Sequence, residues 1–255
     1  LVIGIIIAVL TFLIIIKGIK EISLITLFLT PLMTISYIIL GLIVVINNIE
    51  IIPNIILNII KEGLNLNCLF NSFIPILIIG IERGIFSNEA GIGAAAIAVA
   101  SSKSNNAKQQ GYGQIFGTYF ISLIICTITA IIILTTNYGN LIINNINGIE
   151  IANYAFNYHF GQHGEYILIL ITLVFSFSTI IACYYYGESS LKYICWNIST
   201  WWIILLKIIT IMLVIYGAIA NSLFLWNIVD IFVGLLGLIN IYAINKLNHK
   251  IKKDY

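Results

Sequence analysis

The sequence predicts an all-α, polytopic transmembrane helical bundle, and three observations carry that expectation. Hydrophobic residues fill 60% of the 255 positions and charged ones only 9%, with a mean hydropathy of +1.06. A soluble domain needs far more charge to cover its surface. Most stretches between charges approach the roughly 20 residues that cross a bilayer. The lysines, finally, alternate in density from one connection to the next. A net charge of +2 without a basic run offers nothing to a nucleic acid.

Seven spans follow, at about 1–16, 27–46, 69–100 (broken), 113–135, 166–186, 201–220 and 224–244. The first opens at Leu1 inside an apolar run, with no methionine and no signal peptide, which reads as a partial or truncated sequence. Pro31 falls in the first turn of the second span, where a missing N–H costs nothing. Pro53 and the run Ile51–Ile60 form a loop or an interfacial helix, since so short a run cannot span. Lys17 and Lys20, Lys103 and Lys108, Lys192, and the group Lys246, Lys250, Lys252 and Lys253 follow spans one, three, five and seven. The alternate connections are poorer: Lys61 is balanced by Glu62, and residues 136–165 and 221–223 carry no Lys or Arg. This alternation places the C-terminus in the cytoplasm. Trp201 and Trp202 open the sixth span as an interfacial belt, with Lys207 near enough to snorkel.

The third span organises the chain. Gly80-Ile-Glu-Arg-Gly-Ile-Phe-Ser-Asn-Glu-Ala-Gly-Ile-Gly93 sets Glu82, Arg83, Asn88 and Glu89 inside an apolar segment too long for one crossing. Such charges are expensive against lipid, and four glycines make the backbone easy to unwind. Broken helix at membrane depth is tolerated only where it is buried in protein or lines a wet cavity. The stretch reads as a discontinuous helix with a polar site at its break. Ser87 or Asn88 would cap the second half and Glu89 would lie in its first turn, with free N–H groups aimed at the membrane centre for an anionic group. The competing reading is structural: the glycines and the alanines after Gly91 serve close helix packing, and Glu82 pairs with Arg83 at a protein interface.

In the fifth span, the hydroxyls of Ser178 and Thr179 and the carbonyl of Phe175, one turn earlier, offer oxygen ligands to a small hard cation. Back-bonding of each hydroxyl to the preceding turn is the plainer alternative. His159, His163 and Glu165 invite a zinc reading, but they fall in a polar connection rather than on a persuasive helix. Asp230, a few residues into the last span, reads as a cap or interface residue. Cys68, Cys126, Cys183 and Cys195 show no metal spacing and read as small buried hydrophobes.

Gly84-Ile-Phe-Ser-Asn-Glu-Ala-Gly-Ile-Gly93 resembles the signature of the alanine/glycine:cation symporter family, the sodium:alanine symporters. The likeness continues through Cys126-Thr-Ile-Thr-Ala130, Phe175-Ser-Phe-Ser-Thr-Ile180, Tyr184-Tyr-Tyr-Gly-Glu188, Leu225-Trp-Asn-Ile-Val-Asp230 and the closing Lys-Lys-Asp254-Tyr255. The resemblance implies a LeuT-type inverted-repeat fold of the amino acid-polyamine-cation superfamily. Residues 1–46 would end the first repeat and 69–244 form the second. It implies alternating-access transport of a small neutral amino acid (alanine or glycine) coupled to sodium, in the plasma membrane of a prokaryotic cell. Phe86, Ser87, Asn88, Ala90 and Gly91 would contact the amino acid, and Phe175, Ser178 and Thr179 would hold sodium. Beyond sodium as coupling ion and the surrounding lipid, the resemblance implies no cofactor, no further metal and no catalytic residue.

Departures from the pattern also stand out. The family's upstream half, with a first discontinuous helix, is absent, and that missing N-terminal half would be required to complete the site. Ile121-Ser122 stands where the family usually shows Asp-Thr, and Ala94 and Ala96 replace a Ser and a Pro. The alternative is therefore a truncated, non-transporting remnant or a membrane subunit that needs a partner. An intramembrane enzyme built on Glu82, Glu89, His159 and His163 is the third reading, without a Ser/His/Asp or Cys/His arrangement to support it.

Overall fold

A computed structural model describes residues 2–100, 106–136, 148–195, 198–220 and 222–254. Lys103, Tyr255 and most of the connection after the fourth span lie outside the described residues, as do the side chains of Lys20, Cys68, Lys250, Lys252 and Lys253. Helices account for the regular structure: α1 (Val2–Lys17), α2 (Ile19–Asn47), α3 (Ile52–Gly63), α4 (Leu66–Asn88), α5 (Ala94–Ala100) and α6 (Ala107–Phe120) come first. A π-helical turn, Ile121–Ile125, joins α6 to α7 (Cys126–Leu134). Next come α8 (Ile149–Phe160), a 3₁₀ turn at Gly161–His163, α9 (Gly164–Ile194), α10 (Thr200–Gly217) and α11 (Ser222–Asp254). No strand occurs among the described residues.

Five helical stretches are long and apolar enough to cross a membrane: Leu24–Asn47, Ala107–Leu134, Ile149–Ile194, Thr200–Gly217 and Phe224–Asn248. They cover five of the seven expected spans; the shorter apolar stretch Ile3–Lys17 and the interrupted pair α4 and α5 lie where the other two were expected. The apolar side chains that remain exposed, such as Leu27, Phe28, Leu170 and Met212, suit a hydrocarbon surround rather than water.

Several boundaries differ from the sequence reading. Because α2 starts at Ile19, Pro31 sits inside the helix and not in its first turn. A proline there removes one backbone hydrogen bond, which membrane helices tolerate when neighbouring groups re-satisfy the freed carbonyl. His159 is helical, in the last turn of α8, because residues 149–160 place Ala155 and Phe156 on a buried face. Cys126, Cys183 and Cys195 are exposed rather than buried; a thiol is apolar enough to face outward from a membrane helix.

The described residues form two compact units. The first holds Leu1–Thr26, Ile81–Thr118 and Thr179–Tyr255. In it α1 packs along α10, with Gly4 set close against Ala218; Ala8, Thr11 and Ile15 are buried, spaced three and four apart on one face of α1. Ser199 caps α10 by accepting from the Trp201 N–H, and Trp201 and Trp202 stand exposed at that end. Near the end of α9, Glu188 is buried and ion-pairs with Lys192 one turn on.

The second unit holds Leu27–Gly80 and Tyr119–Ser178. Its core joins Val44, Ile128, Ile132, Ala155, Phe156, Leu168 and Ile171. A Cβ on Gly41 would clash with Ile128 Cγ2, so glycine lets α2 and α7 approach closely there. The Tyr37 hydroxyl and Thr129 Oγ1 share a 2.6 Å hydrogen bond beside that contact.

Candidate functional site

The break in the third span lies between α4 and α5, over residues 89–93. Helix continues through Gly80 and Gly84 to Asn88, and the second half begins at Ala94 rather than at Asn88. Asn88 is therefore not an N-cap, and Glu89 is in the break itself rather than in a first helical turn. Local chemistry explains the stop. The Asn88 carboxamide oxygen accepts from the Ala90 N–H at 2.9 Å, a side-chain substitute for the next helical bond. Three residues then take left-handed backbone: Glu89 (φ 53°), Gly91 (φ 85°) and Gly93 (φ 90°). Among the described residues Glu89 alone does so without being glycine, at a cost of about 1–2 kcal/mol. Strain of this kind persists where surrounding structure holds it, and such places concentrate at functional sites.

The holding structure is α11. Asn240 Nδ2 donates to the Gly91 carbonyl at 2.9 Å, and a Cβ on Gly93 would stand 3.2 Å from Asn240 Oδ1. Higher on the same helix, Asp230 Oδ2 accepts from Arg83 Nη2 at 2.8 Å. The Arg83 guanidinium lies 4.7 Å over the Trp226 ring, and Phe86 meets Trp226 edge-on at 5.1 Å. Arg83 thus pairs with Asp230 in place of the Glu82 partner that the structural reading suggested. A cavity of about 300 Å³ opens here. Its walls include Glu82, Ile85, Ala90 and Gly91 from the broken helix. Opposite stand Asp230, Val233, Gly234, Gly237, Leu238 and Ile241, at the spacing of one helix face.

Of the predicted substrate contacts, Ala90 and Gly91 line this cavity and Phe86 packs against its Trp226 neighbour. Ser87 Oγ donates back to the Gly84 carbonyl at 3.0 Å, and Asn88 is engaged in its turn with Ala90. Trp226 and Asn240 carried no assigned role in the sequence reading, and Asp230 was read only as a cap or interface residue. The i, i+4 spacing of Trp226 and Asp230, a ring face and a carboxylate that both suit the Arg83 guanidinium, was the available signal.

Phe175, Ser178 and Thr179 lie within about one turn of the unbroken α9. Ser178 is buried and Thr179 exposed, as the ~100° between successive residues requires. The Phe175 ring stands edge-on to Tyr37 at 6.4 Å. Back-bonding occurs beside them: Ser176 Oγ donates to the Thr172 carbonyl at 2.7 Å. Residues 121–125, which begin where the sequence departs from the family's Asp-Thr, form the π-helical turn, a local widening that recurs at functional sites.

The zinc reading has no geometry behind it among the described residues, where no group of three or more His, Cys, Asp or Glu side chains converges. His159 Nε2 is spent instead on Thr135 Oγ1 and the Ile132 carbonyl, each at 3.0 Å.

Apolar helices long enough to cross a bilayer, with one helix interrupted and strained at its break, mark a multi-pass membrane protein. The chain belongs to the sodium:alanine symporter family, whose pattern matches residues 1–255. It is 35% identical to the amino-acid carrier protein AlsT of Bacillus subtilis, over 100% of this chain and 54% of that protein. The sodium/alanine symporter AgcS of Methanococcus maripaludis is 30% identical, over 96% of this chain and 53% of its own length. A third relative, named "Probable sodium/glutamine symporter GlnT" in Bacillus subtilis, is 30% identical over 95% of this chain and 51% of its own. The chain spans about half the length of the curated relatives it matches. The family is one of transporters, not of enzymes.

Proposed function

We propose that the protein is a secondary carrier that couples uptake of a small neutral amino acid, alanine or glycine, to sodium by alternating access. The proposal is for a protein of the family's full length, since the chain spans about half of each relative. The carrying observation is the break at residues 89–93, whose backbone leaves the helical ladder beside a cavity. Unwound backbone offers a zwitterion both N–H donors and carbonyl acceptors without a buried side-chain charge. In this reading Phe86, Ser87, Asn88, Ala90 and Gly91 receive the amino acid. Sodium binds the Phe175 carbonyl with the Ser178 and Thr179 hydroxyls.

The fold would be of LeuT type, with residues 1–46 ending one inverted repeat and 69–244 forming the other. The family membership and the interrupted span support this. The lysine alternation supports a cytoplasmic C-terminus, and the family's bacterial and archaeal members support a prokaryotic plasma membrane. Sodium binding would favour the conformer competent for substrate, so that the ion gradient drives uptake.

The test is amino-acid uptake by the full-length protein in proteoliposomes, with and without an inward sodium gradient. Uptake should require the gradient, and Ser178→Ala with Thr179→Ala should raise the sodium concentration needed for half-maximal rate. Gradient-independent uptake sinks the coupling; an unchanged sodium requirement in the double variant sinks the ion site. Alanine and glycine should both be carried, because a pocket discriminates one methyl by only about 1–3 kcal/mol.

A further inference from the structure

We infer that α3 is an in-plane membrane helix, lying along the bilayer interface with its isoleucine face among the lipid acyl chains. Its twelve residues, Ile52–Gly63, rise about 18 Å, well short of the ~30 Å hydrocarbon core. It cannot cross, yet it cannot leave the membrane surface either. Only residues 48–51 separate it from α2 and only 64–65 from α4, and both joints are closed by hydrogen bonds. Asn48 donates from its backbone N–H and from Nδ2 to the Val44 carbonyl at 3.1 and 2.9 Å, and the Ile51 N–H donates to Asn48 O at 3.0 Å. At the other end the Leu64 N–H donates to Ile60 O at 3.0 Å and that of Asn65 to Glu62 O at 3.2 Å. Tight turns at both ends leave no length for the helix to lift away.

The sequence of α3 is built for an interface. At 100° per residue, Ile52, Ile55, Ile56, Ile59 and Ile60 gather on one side and Leu57 extends it, while Asn54, Asn58 and Lys61 fill the opposite arc and Glu62 borders Ile55. None of its residues is buried. On this face Ile56, Ile59 and Ile60 are exposed and Ile52 and Ile55 half-buried, and it continues the exposed apolar surface of Ile43 and Ile46 in α2 and of Ile49 and Ile51 in the turn after it. Lys61 and Glu62 cancel in charge, so apolar burial has to hold the helix without help from anionic lipid. The occupant of this face is therefore the acyl region of the bilayer itself.

Site-directed spin labels test this on the full-length protein in phosphatidylcholine vesicles. Single cysteines at positions 52, 54, 55, 56, 58, 59 and 61, in a background with its native cysteines replaced, would be read for collisions with oxygen, which concentrates in lipid, and with a water-soluble nickel chelate. The expected result is two oscillations of helical period in opposite phase. Oxygen should dominate at Ile52, Ile55, Ile56 and Ile59, and nickel at Asn54, Asn58 and Lys61. Adding phosphatidylglycerol should leave the pattern unchanged. Nickel access at every position would mean that α3 stands in water and overturns the inference. Shielding of the isoleucine positions from both reagents would mean that protein, another part of the chain or a second copy, covers the face. A pattern present only with phosphatidylglycerol would overturn the neutral mode of binding.

Discussion

Asn240→Ala asks whether α11 holds the break in its binding conformation. The substitution removes the 2.9 Å bond from Nδ2 to the Gly91 carbonyl. A hydrogen bond of this kind contributes about 1 kcal/mol net. Gly91 is exposed and Asn240 only partly buried, so water can re-solvate the freed carbonyl and the larger penalty of a sealed site does not apply. If only the ordered break binds substrate, that loss weakens apparent affinity by up to about fivefold. Equilibrium binding of radiolabelled alanine to the full-length protein would read it, alongside hydrogen exchange at residues 89–93, which should quicken. Gly93→Ala is the companion. It places a side chain at φ 90°, worth about 1–2 kcal/mol of strain, with its Cβ 3.2 Å from Asn240 Oδ1. Removing Asn240 relieves the crowding but not the dihedral, so the double variant should lose less than the sum of the singles. Unchanged affinity and exchange in Asn240→Ala would refute the clamp, and strict additivity would refute the contact.

Three further outcomes follow from the geometry. The Arg83–Asp230 pair has side chains 43% and 25% exposed, so a double-mutant cycle of Arg83→Gln with Asp230→Asn should give at most about 1 kcal/mol in thermal stability, shrinking as salt is raised. A coupling of several kcal/mol would show the pair sealed from solvent. Replacing His159 by Phe should destabilise by about 1–2 kcal/mol, with partial rescue by Gln, because the end of α7 loses the donor to Ile132 O. A zinc chelator should leave the melting temperature of the unaltered protein in place; a clear drop would restore the metal reading.

The spans were legible because crossing a bilayer demands long apolar runs, and the break was legible because asparagine, glutamate and glycines are anomalous inside one. Its register was not. The glycines at 80 and 84 suggested early unwinding, yet helix persists to Asn88, since a glycine permits left-handed backbone without requiring it. Helix α8 was less legible, because Asn153, Asn157 and His159 interrupt the apolar pattern that buries Ala155 and Phe156. The partners Asn240 with Gly91 and Arg83 with Asp230 are separated by 149 and 147 residues. Helical periodicity places each on a face but says nothing about which distant face it meets.

That long-range pairing bears on how a break would serve the proposed transport. Left to itself, a segment with three left-handed residues would sample many conformers, and each would tax the affinity of any ligand that selects one of them. Packing alone offers little remedy, because the residues of the break are mostly small. The remedy in this fold is a second helix whose contacts are of graded strength: one amide bond at Gly91, one ion pair over an indole at Arg83, and glycines between them that leave room for a guest. Each contact is weak enough to be broken by the differential binding of an ion or a substrate, which alone can shift such an equilibrium. A clamp of several buried charges would hold the break more firmly and stop the cycle. The weakness of the contacts is therefore what the proposed transport requires.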